Sequence, residues 1–261
     1  MIKKSFLLIL ISLIACSRQL SEEITDEKGV LMRLVPVGEF SMGNEHGDQY
    51  EAPVHSVYLD AFYIDKYEVT NSLYKACVDA GACALPKEQD FYNRPAYAEH
   101  PVVNVDWYMA SAYCEWRSAY LPTEAQWEKA ARGTDGRIYP WGNEITSSDA
   151  NYFDNAVPKY CVGSGGTVKV GSVPSNVSPY GVYDMTGNIW EWVADWSDDG
   201  RHYANSPSSN PSGPSSGDHK IVRGGSWLNI PVDLRTTTRN WDDPSIYHFT
   251  IGFRCARNVN P

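Results

Sequence analysis

The sequence predicts an irregular α+β domain with little regular secondary structure, and three observations support this class. The 261-residue chain contains 20 Gly, 16 Pro, 17 Tyr and 9 Trp, so turns and buried rings make up much of it. Strand patterns lie near both ends of the chain, and three short helical patterns lie between them. With 43% hydrophobic residues, one domain with one sizeable core is the simplest organisation.

The first strands are predicted from an alternation of apolar and polar residues. This period of two runs through LVPVGEFSMGN (34–44) and HSVYLDAFYIDKYEV (55–69), and a charged turn separates the two runs. We therefore expect a β-hairpin or meander at the start of the domain.

Three helices of about three turns each are predicted next. Thr70 can cap TNSLYKACVDA, which ends at Gly81, and Thr123 with Gln126 forms a capping box for TEAQWEKAAR, closed by Gly133. The middle helix lies in VDWYMASAYCEWRSA (105–119). Its predicted apolar face consists of Val105, Met109, Ala112 and Trp116.

Beyond Gly133 the sequence predicts loops and short strands. The composition of ANSPSSNPSGPSSGD (204–218) predicts a mobile surface loop. The strand-like segments IVRGGSW (221–227) and IGFRCARN (251–258) follow. Because strands occur near both ends of the chain, its termini could pair.

The N-terminus has the layout of an export signal. Residues 1–15 contain two lysines and an apolar run that is too short to span a bilayer. The stretch LIAC (13–16) resembles a bacterial lipobox, which implies lipidation of Cys16; in a plain signal peptide, Cys16 would be incidental. Ser17 at the next position implies outer-membrane sorting. The polar residues 16–29 predict a tether, followed by one folded domain over 30–258.

Charge and localisation restrict the partners. A net charge of -10 and a pI near 5.0 would repel a phosphate backbone, so we exclude nucleic acid as a partner. The lipid would attach the protein to the membrane of the cell envelope. We expect a monomer that binds a protein, peptide or glycan ligand.

Five cysteines follow Cys16, and an exported protein lies where disulfides persist. Cys77 and Cys83 flank a short Gly-containing turn and could close a local loop. A metal-binding interpretation of this pair needs further His or Cys ligands close by, and the sequence has none there. The six histidines are scattered, which disfavours a zinc site.

Nine stretches follow one another along residues 30–258 in the order of a known family: GEFSMGN (38–44), FYIDKYEVTN (62–71), PVVNVDW (101–107), AYCEW (112–116), LPTEAQWEKAARG (121–133), YPWGNE (139–144), GVYDMTGNIWEWVADW (181–196), VRGGSW (222–227) and IGFRCAR (251–257). This pattern resembles the domain of the formylglycine-generating enzyme, or sulfatase-modifying factor. The resemblance implies an irregular α+β fold related to C-type lectins. It also implies a disulfide between Cys114 and Cys255, which would stabilise the fold by about 4–5 kcal/mol.

The family activity is the oxidation of a sulfatase cysteine to formylglycine with oxygen and copper(I), which two cysteine thiolates hold. By the resemblance, these thiolates belong at the second and seventh positions beyond Trp227, where this chain has Asn229 and Leu234. An amide and an isobutyl group are poor ligands for Cu(I). LRTTTR (234–239) also resembles family members without these cysteines. We therefore expect neither copper nor the family oxidation, unless Cys161 folds into the site.

Calcium is the second ligand that the resemblance implies. Its donors would be the side chains of Asp184 and Glu191 and the carbonyls of Gly187 and Ile189, a set that suits Ca²⁺. The alternative is that Asp184 caps a turn and Glu191 pairs with an arginine such as Arg254.

A second calcium site of the family would use Asn151, the carbonyl of Tyr152 and a later aspartate. The corresponding segment here, CVGSGGTVKV (161–170), contains no aspartate. The sequence therefore does not support the second site.

Arg223 to Trp227 form the floor of the substrate groove in the family, with Ser226 near the reacting thiol. No histidine in this segment could activate Ser226, so we interpret it as a hydrogen-bonding residue. Arg223 could support a carboxylate. Trp190, Trp192 and Trp196 could line a sugar or peptide groove, but tryptophans in a loop-rich domain are more often in the core, where we expect these three.

The favoured hypothesis is a non-oxidase family member that acts on the cell envelope as a binding or structural protein. The alternatives are altered chemistry and a formylglycine-generating oxidase. Measurements of bound copper and of the conversion of a sulfatase-derived peptide would distinguish them.

Overall fold

The computed structural model describes residues 20–198 and 203–259. The signal peptide of residues 1–15 and Cys16 therefore lie outside the described residues. The helices are α1 (Asn71–Asp79), α2 (Trp107–Trp116) and α3 (Glu124–Arg132). The strands in chain order are β1 (Glu23–Thr25), β2 (Leu31–Val35), β3 (Gly38–Met42), β4 (His55–Leu59), β5 (Phe62–Asp65), β6 (Phe153–Asp154), β7 (Lys159–Tyr160), β8 (Trp190–Ser197), β9 (His219–Arg223), β10 (Arg239–Asp242), β11 (Ile251–Phe253) and β12 (Ala256–Asn258).

One four-stranded sheet joins the two ends of the domain. Its order is β1-β2-β5-β12, and all neighbours are antiparallel. The hairpin of β3 and β4 is inserted between β2 and β5 along the chain. The pairing of β12 with β5 places the C-terminal strand beside N-terminal strands, as the sequence predicted.

A second four-stranded sheet carries the segment around Arg223. Its order is β10-β9-β8-β11; β11 runs parallel to β8, and the other pairs are antiparallel. Helix α3 packs against β3, β4, β8 and β9. The fold therefore places the end of β9 directly against α3.

The predicted helix caps are present. Thr70 accepts a hydrogen bond from the Leu73 amide, and Thr123 and Gln126 form the expected capping box of α3. Helix α2 begins after Asp106, and its buried residues are Met109, Ala110, Tyr113 and Cys114. The predicted face was partly wrong, because Ala112 and Trp116 are only half-buried.

Ordered structure begins earlier than the sequence predicted. The predicted tether extended to residue 29, but β1 already pairs with β2. Asp26 is buried and receives a bond of 2.9 Å from Nε of Arg117, which also binds Asp65. The polar composition of 17–29 concealed a strand and a buried carboxylate whose partner lies in α2's C-terminal cap.

The segment predicted as a mobile loop, 204–218, crosses the edge of β4. The Tyr58 amide donates to the Ser208 carbonyl at 2.7 Å, and the Asn210 side chain bonds to Asp60. Its Ser-rich composition did not indicate these contacts. The segment is irregular, as predicted, but it is attached to the hairpin.

The core is rich in aromatic side chains, and both disulfides border it. Trp127 and Trp192 are fully buried, and Trp190 is 7% exposed. Trp196 is only half-buried, so the expectation of a core position was wrong for this residue. Cys77 is joined to Cys83, and Cys114 is joined to Cys255. These are the pairs that the sequence and the resemblance suggested. In the part of the chain that the structure describes, no helix is long and apolar enough to cross a membrane.

Candidate functional site

Two glycines end β9 and allow the following segment to pass close to its neighbours. Gly224 and Gly225 both have positive φ, 98° and 74°, a region that disfavours other residues. A Cβ on Gly225 would lie 2.4 Å from Cδ2 of Leu234. Any other residue at Gly225 would therefore be strained at this φ and would force the Leu234 side chain to shift.

Arg223 is fully buried and holds the backbone on the far side of this turn. Its guanidinium donates to Oε2 of Glu128 at 2.5 Å and to the carbonyls of Thr236 and Thr237 at 2.9 and 3.0 Å. It also bonds to the carbonyl of Thr238. The sequence predicted that Arg223 supports a carboxylate, and in the structure that carboxylate is Glu128. Arg223 has a positioning role, because its donors are directed at the protein itself.

A second buried carboxylate of α3, Glu124, extends this charged network. Arg239 donates to Oε1 of Glu124 at 2.7 Å, and the Tyr203 hydroxyl donates to Oε2 at 2.8 Å. Burial opposes ionisation of Glu124, but the positive charges of Arg239 and Arg223 outweigh this effect and lower the pKa of Glu124. Burial and the nearby Glu124 carboxylate raise the pKa of Asp195 to about 7. The arginines therefore favour the ionised form of Glu124, whereas burial and Glu124 disfavour the ionised form of Asp195.

Ser226 is 1% exposed, and its hydrogen bonds remain within the turn. Its hydroxyl donates to Oδ1 of Asn229 at 2.7 Å, and its amide donates to the same oxygen at 3.1 Å. The Asn229 amide nitrogen in turn donates to Asp233 at 3.2 Å. An amide oxygen is not a base, so this contact does not activate Ser226 as a nucleophile.

Leu234 lies in an apolar cluster with Tyr139, Ala150, Tyr152 and Cys161. Cys161 is the free cysteine among the described residues, and it is buried. The sequence left open that Cys161 could reach the implied copper site, and it does lie in the cluster of Leu234. One buried thiol, an isobutyl group and an amide that is already hydrogen-bonded do not fit a copper(I) ion that needs two thiolates.

An open groove of about 490 Å³ lies beside this turn. The rings of Tyr50 and Trp241 form one wall in an edge-to-face pair with centroids 4.9 Å apart. Arg235 also lines it and is paired with the buried Glu51. Asn229, Asp233 and Trp190 complete the part of the lining near the turn. Such a mixture of rings, amides and carboxylates suits a polar organic ligand.

Sequence reasoning missed half of this groove. Tyr50 and Glu51 lie in a short helical turn, Gln49–Glu51, whose capping box uses Asp48. Thr237 donates to Oε2 of Glu51 at 2.5 Å across 186 residues of sequence. No local pattern links these segments, so only the tertiary structure reveals the groove.

A smaller apolar cavity of about 290 Å³ lies on the other side of Trp227. Trp227 lies 6.0 Å from Phe249 and 5.6 Å from Tyr160 between ring centroids. Phe91 and Tyr97 line the same cavity. Trp227 therefore lines this cavity and not the groove that Asn229 lines.

The implied calcium ligands make other contacts. Arg254 donates to both oxygens of Glu191 at 2.6 and 2.7 Å, and Nε1 of Trp127 donates to Oε2 at 2.8 Å. Asp184 accepts a bond of 2.6 Å from the Gly171 amide. Glu191 is thus neutralised by Arg254, which is the alternative that the sequence left open. The donor set does not fit a calcium ion unless this pair opens, and calcium at Asp184, Gly187, Ile189 and Glu191 stays a prediction.

Glu68 lies beside this cluster and is fully buried. Its Oε2 accepts a bond of 2.7 Å from Asn188, and its Oε1 has no hydrogen-bond partner. Burial, then the carboxylates of Asp184 and Glu191, raise its pKa well above the ordinary value. Among the residues described, no group of three or more His, Cys, Asp or Glu side chains is arranged to hold a metal ion.

The donors of the second implied calcium site are also engaged within the protein. The Asn151 side chain donates to the Gly166 carbonyl at 2.9 Å and accepts from the Gly163 amide at 3.3 Å. The Tyr152 carbonyl accepts from the Cys161 amide at 2.7 Å. Asn151 here holds the 163–166 turn.

Comparisons with known proteins agree with this architecture. A Chlamydia pneumoniae protein named serine/threonine-protein kinase pkn1 is 39% identical over 251 residues, which are 88% of this chain but only 38% of that protein. The formylglycine-generating enzyme of Streptomyces coelicolor is 32% identical over 279 residues, covering 87% of this chain and 88% of the enzyme. The structure of PvdO from Pseudomonas aeruginosa superposes with a TM-score of 0.78 at 28% identity, over 93% of this chain and 100% of PvdO.

The chain thus spans about two-fifths of the length of pkn1 and nearly all of the other two proteins. A relation to C-type lectins stays a prediction. The family profile described as sulfatase-modifying factor enzyme 1-like domain matches residues 18–259. With the identity to the Streptomyces enzyme over nearly its whole length, this match shows that the chain belongs to the sulfatase-modifying factor family.

Proposed function

We propose that this chain is a non-oxidase member of the family that binds a protein, peptide or glycan partner in the groove beside Asn229. The observation that carries the proposal is the chemistry of Asn229 and Leu234. These residues stand where the family resemblance places the copper thiolates. One is hydrogen-bonded to Ser226 and Asp233, and the other is fully buried in an apolar cluster.

Soft thiolates are required because oxygen and nitrogen amide donors hold Cu(I) weakly. Cys161 could contribute at most one thiolate, and it lies buried against the same apolar cluster as Leu234. These features support a binding role over the alternative, a formylglycine-generating oxidase.

The groove has the composition of a recognition site. Tyr50 and Trp241 present ring surface, Asn240 is exposed, and Asp48 and Asp233 provide carboxylates. Aromatic rings with a few polar groups provide most of the affinity in many interfaces. Arg235 and Arg239, the two cations of the groove, are already paired with Glu51 and Glu124.

The test of the non-oxidase role compares this protein with the Streptomyces coelicolor enzyme under reducing conditions with added copper. We expect no stoichiometric copper after desalting, and no formylglycine in a sulfatase-derived cysteine peptide under oxygen. The Streptomyces enzyme is the positive control. Stoichiometric copper together with peptide conversion would replace the proposed role with the oxidase alternative.

We also propose that a lipid on Cys16 anchors the chain in the outer membrane of the cell envelope. The sequence LIAC before a polar segment supports this location. In cells, the wild-type chain is expected to fractionate with membranes, and Cys16→Ser is expected to appear in the soluble fraction or as uncleaved precursor. If Cys16→Ser is processed and fractionates as the wild type does, the lipid anchor is wrong.

A further inference from the structure

Strand β10 is the outer strand of the sheet that carries the groove. The sheet order is β10-β9-β8-β11, so β9 covers one edge of β10. Within residues 20–198 and 203–259, no strand pairs with its other edge. Arg239, Asn240 and Trp241 of β10 line the groove. The groove therefore runs along an open strand edge.

The direction of each peptide group in this sheet follows from one hydrogen bond. The Trp190 amide of β8 donates to the Thr250 carbonyl just before β11, at 2.8 Å. Successive residues of a strand direct their peptide groups to opposite edges, so Glu191 faces β9. Its register partner there is Arg223. Arg223 consequently faces β8, and the next residue, Val222, faces β10.

The same alternation continues into β10. Asn240 is the register partner of Val222, and Asp242 is the partner of Lys220. Asn240 and Asp242 therefore form their backbone hydrogen bonds to β9. The peptide groups of the alternate residues of β10, Arg239 and Trp241, face outward from the sheet.

An independent contact agrees with this direction. The Trp241 amide donates to the side-chain Oδ1 of Asn240 at 2.9 Å, not to another strand. Asn240 is exposed, so this bond to an adjacent residue can be exchanged for another acceptor at little cost. The outward amide is thus capped by a side chain that can move.

From this geometry we infer that the partner enters the groove as an extended polypeptide segment that adds a strand to the outer edge of β10. The inference rests on the proposed binding function and narrows its ligand class. The amides and carbonyls of Arg239 and Trp241 would form up to about four main-chain hydrogen bonds with the added strand. Side chains of the segment would alternate between the Tyr50 and Trp241 rings and solvent.

A glycan could also stack on these rings, but it cannot match the two-residue repeat of outward amides and carbonyls. A polypeptide strand matches it with its own backbone. The edge is short, and it ends in Asp242 followed by Asp243, two carboxylates that limit pairing between copies of the chain. A short edge with carboxylates at its end has room for one short peptide segment, and it disfavours aggregation through extended strand pairing.

The probe is a displayed library of random linear peptides, screened beside a glycan array on the wild-type protein. The decisive variants are Trp241→Pro and Trp241→Ala. Both remove the ring, but only the proline removes the outward amide. Proline is tolerated on an edge strand where the amide faces solvent. We expect selected peptides to bind Trp241→Pro at least about tenfold more weakly than Trp241→Ala.

Hydrogen exchange supplies a second measurement on the unmodified protein, in case the proline variant does not fold. Bound peptide is expected to slow exchange of the Trp241 amide about tenfold or more and to leave the Asn240 amide unchanged. Equal peptide binding by the two variants, or no protection at Trp241, would overturn strand addition. Enrichment of glycans alone, with loss of binding in Trp241→Ala, would overturn it and leave groove binding intact. Failure of both libraries would contradict the proposed function as well.

Discussion

Segments 223–226 and 229–235 lie next to each other in sequence, but different interactions hold them. The first is buried, and Arg223 binds Glu128 and three backbone carbonyls. The second borders the groove and includes Val232, which is 48% exposed. Arg223 of the first segment holds the backbone of residues 236–238 in place. The second segment, together with β10, lines the groove.

This difference separates the framework of the family from its chemistry. Gly225 is required by its positive φ and Arg223 by its contact to Glu128, whichever residues occupy the implied copper positions. A sequence such as RGGSW therefore indicates the fold. Oxidation depends on two thiolates, and the groove segment of this chain has Asn229 and Leu234 at the implied positions. Membership of the family therefore does not by itself imply the oxidation that its enzymes perform.

The comparison predicts that Arg223→Met is strongly destabilising. The substitution leaves Glu128 with less positive charge in a buried site and removes the donors for the carbonyls of 236–238. Breaking a buried ion pair in this way costs about 4 kcal/mol. The free energy of unfolding, measured by urea titration, is expected to fall by that amount.

The matched control is Val232→Ser in the groove segment, where the side chain is exposed. We expect the free energy of unfolding to change by less than about 0.5 kcal/mol. If Arg223→Met costs under about 1 kcal/mol, or if both substitutions cost the same, the distinction between framework and groove is wrong.

Much of the framework could be predicted from sequence because its signals are local. Thr70 and Thr123 cap their helices through bonds to residues three positions on. The alternation over 34–69 predicted the hairpin of β3 and β4. Such signals depend on backbone geometry within one turn or one strand, and so they are visible without the tertiary structure.

Long-range contacts explain why the sequence did not reveal the ordered N-terminal strand or the groove. The polar stretch before Gly29 resembled a tether, but Arg117, 91 residues away, binds Asp26. Polar composition indicates disorder only where no distant partner neutralises the charge. The groove was missed for the same reason, since Tyr50 and Trp241 meet only after β10 pairs with β9.

The interpretation of Glu191 shows the limit of a motif. The spacing of Asp184 and Glu191 suits either calcium or an arginine, and the sequence alone did not decide between them. In the structure, Arg254 occupies both oxygens of Glu191. Whether Glu191 meets an arginine depends on the pairing of β11 with β8, because Arg254 directly follows β11. No pattern within GVYDMTGNIWEW specifies that pairing.

A smaller effect on stability tests the charge balance of the framework itself. Asp195 is buried beside Glu124, and its pKa is raised to about 7 from an ordinary value of 3.8. The folded state therefore binds this proton more tightly than the unfolded state. Stability is then lost as pH rises from about 4 through 7. Between pH 5 and pH 8, the Asp195 contribution amounts to about 2.5 kcal/mol of lost stability.

Asp195→Asn removes this titration and keeps an oxygen that can accept the bond from the Glu124 amide. We expect the variant to lose less stability than the wild type between pH 5 and pH 8, by about 2.5 kcal/mol in unfolding free energy. Asp184, whose pKa is raised to about 6, titrates in both proteins, so the difference between them isolates Asp195. Parallel stability profiles for the two proteins would show that Asp195 is ionised without penalty. Burial and the nearby Glu124 carboxylate would then not raise the pKa of Asp195.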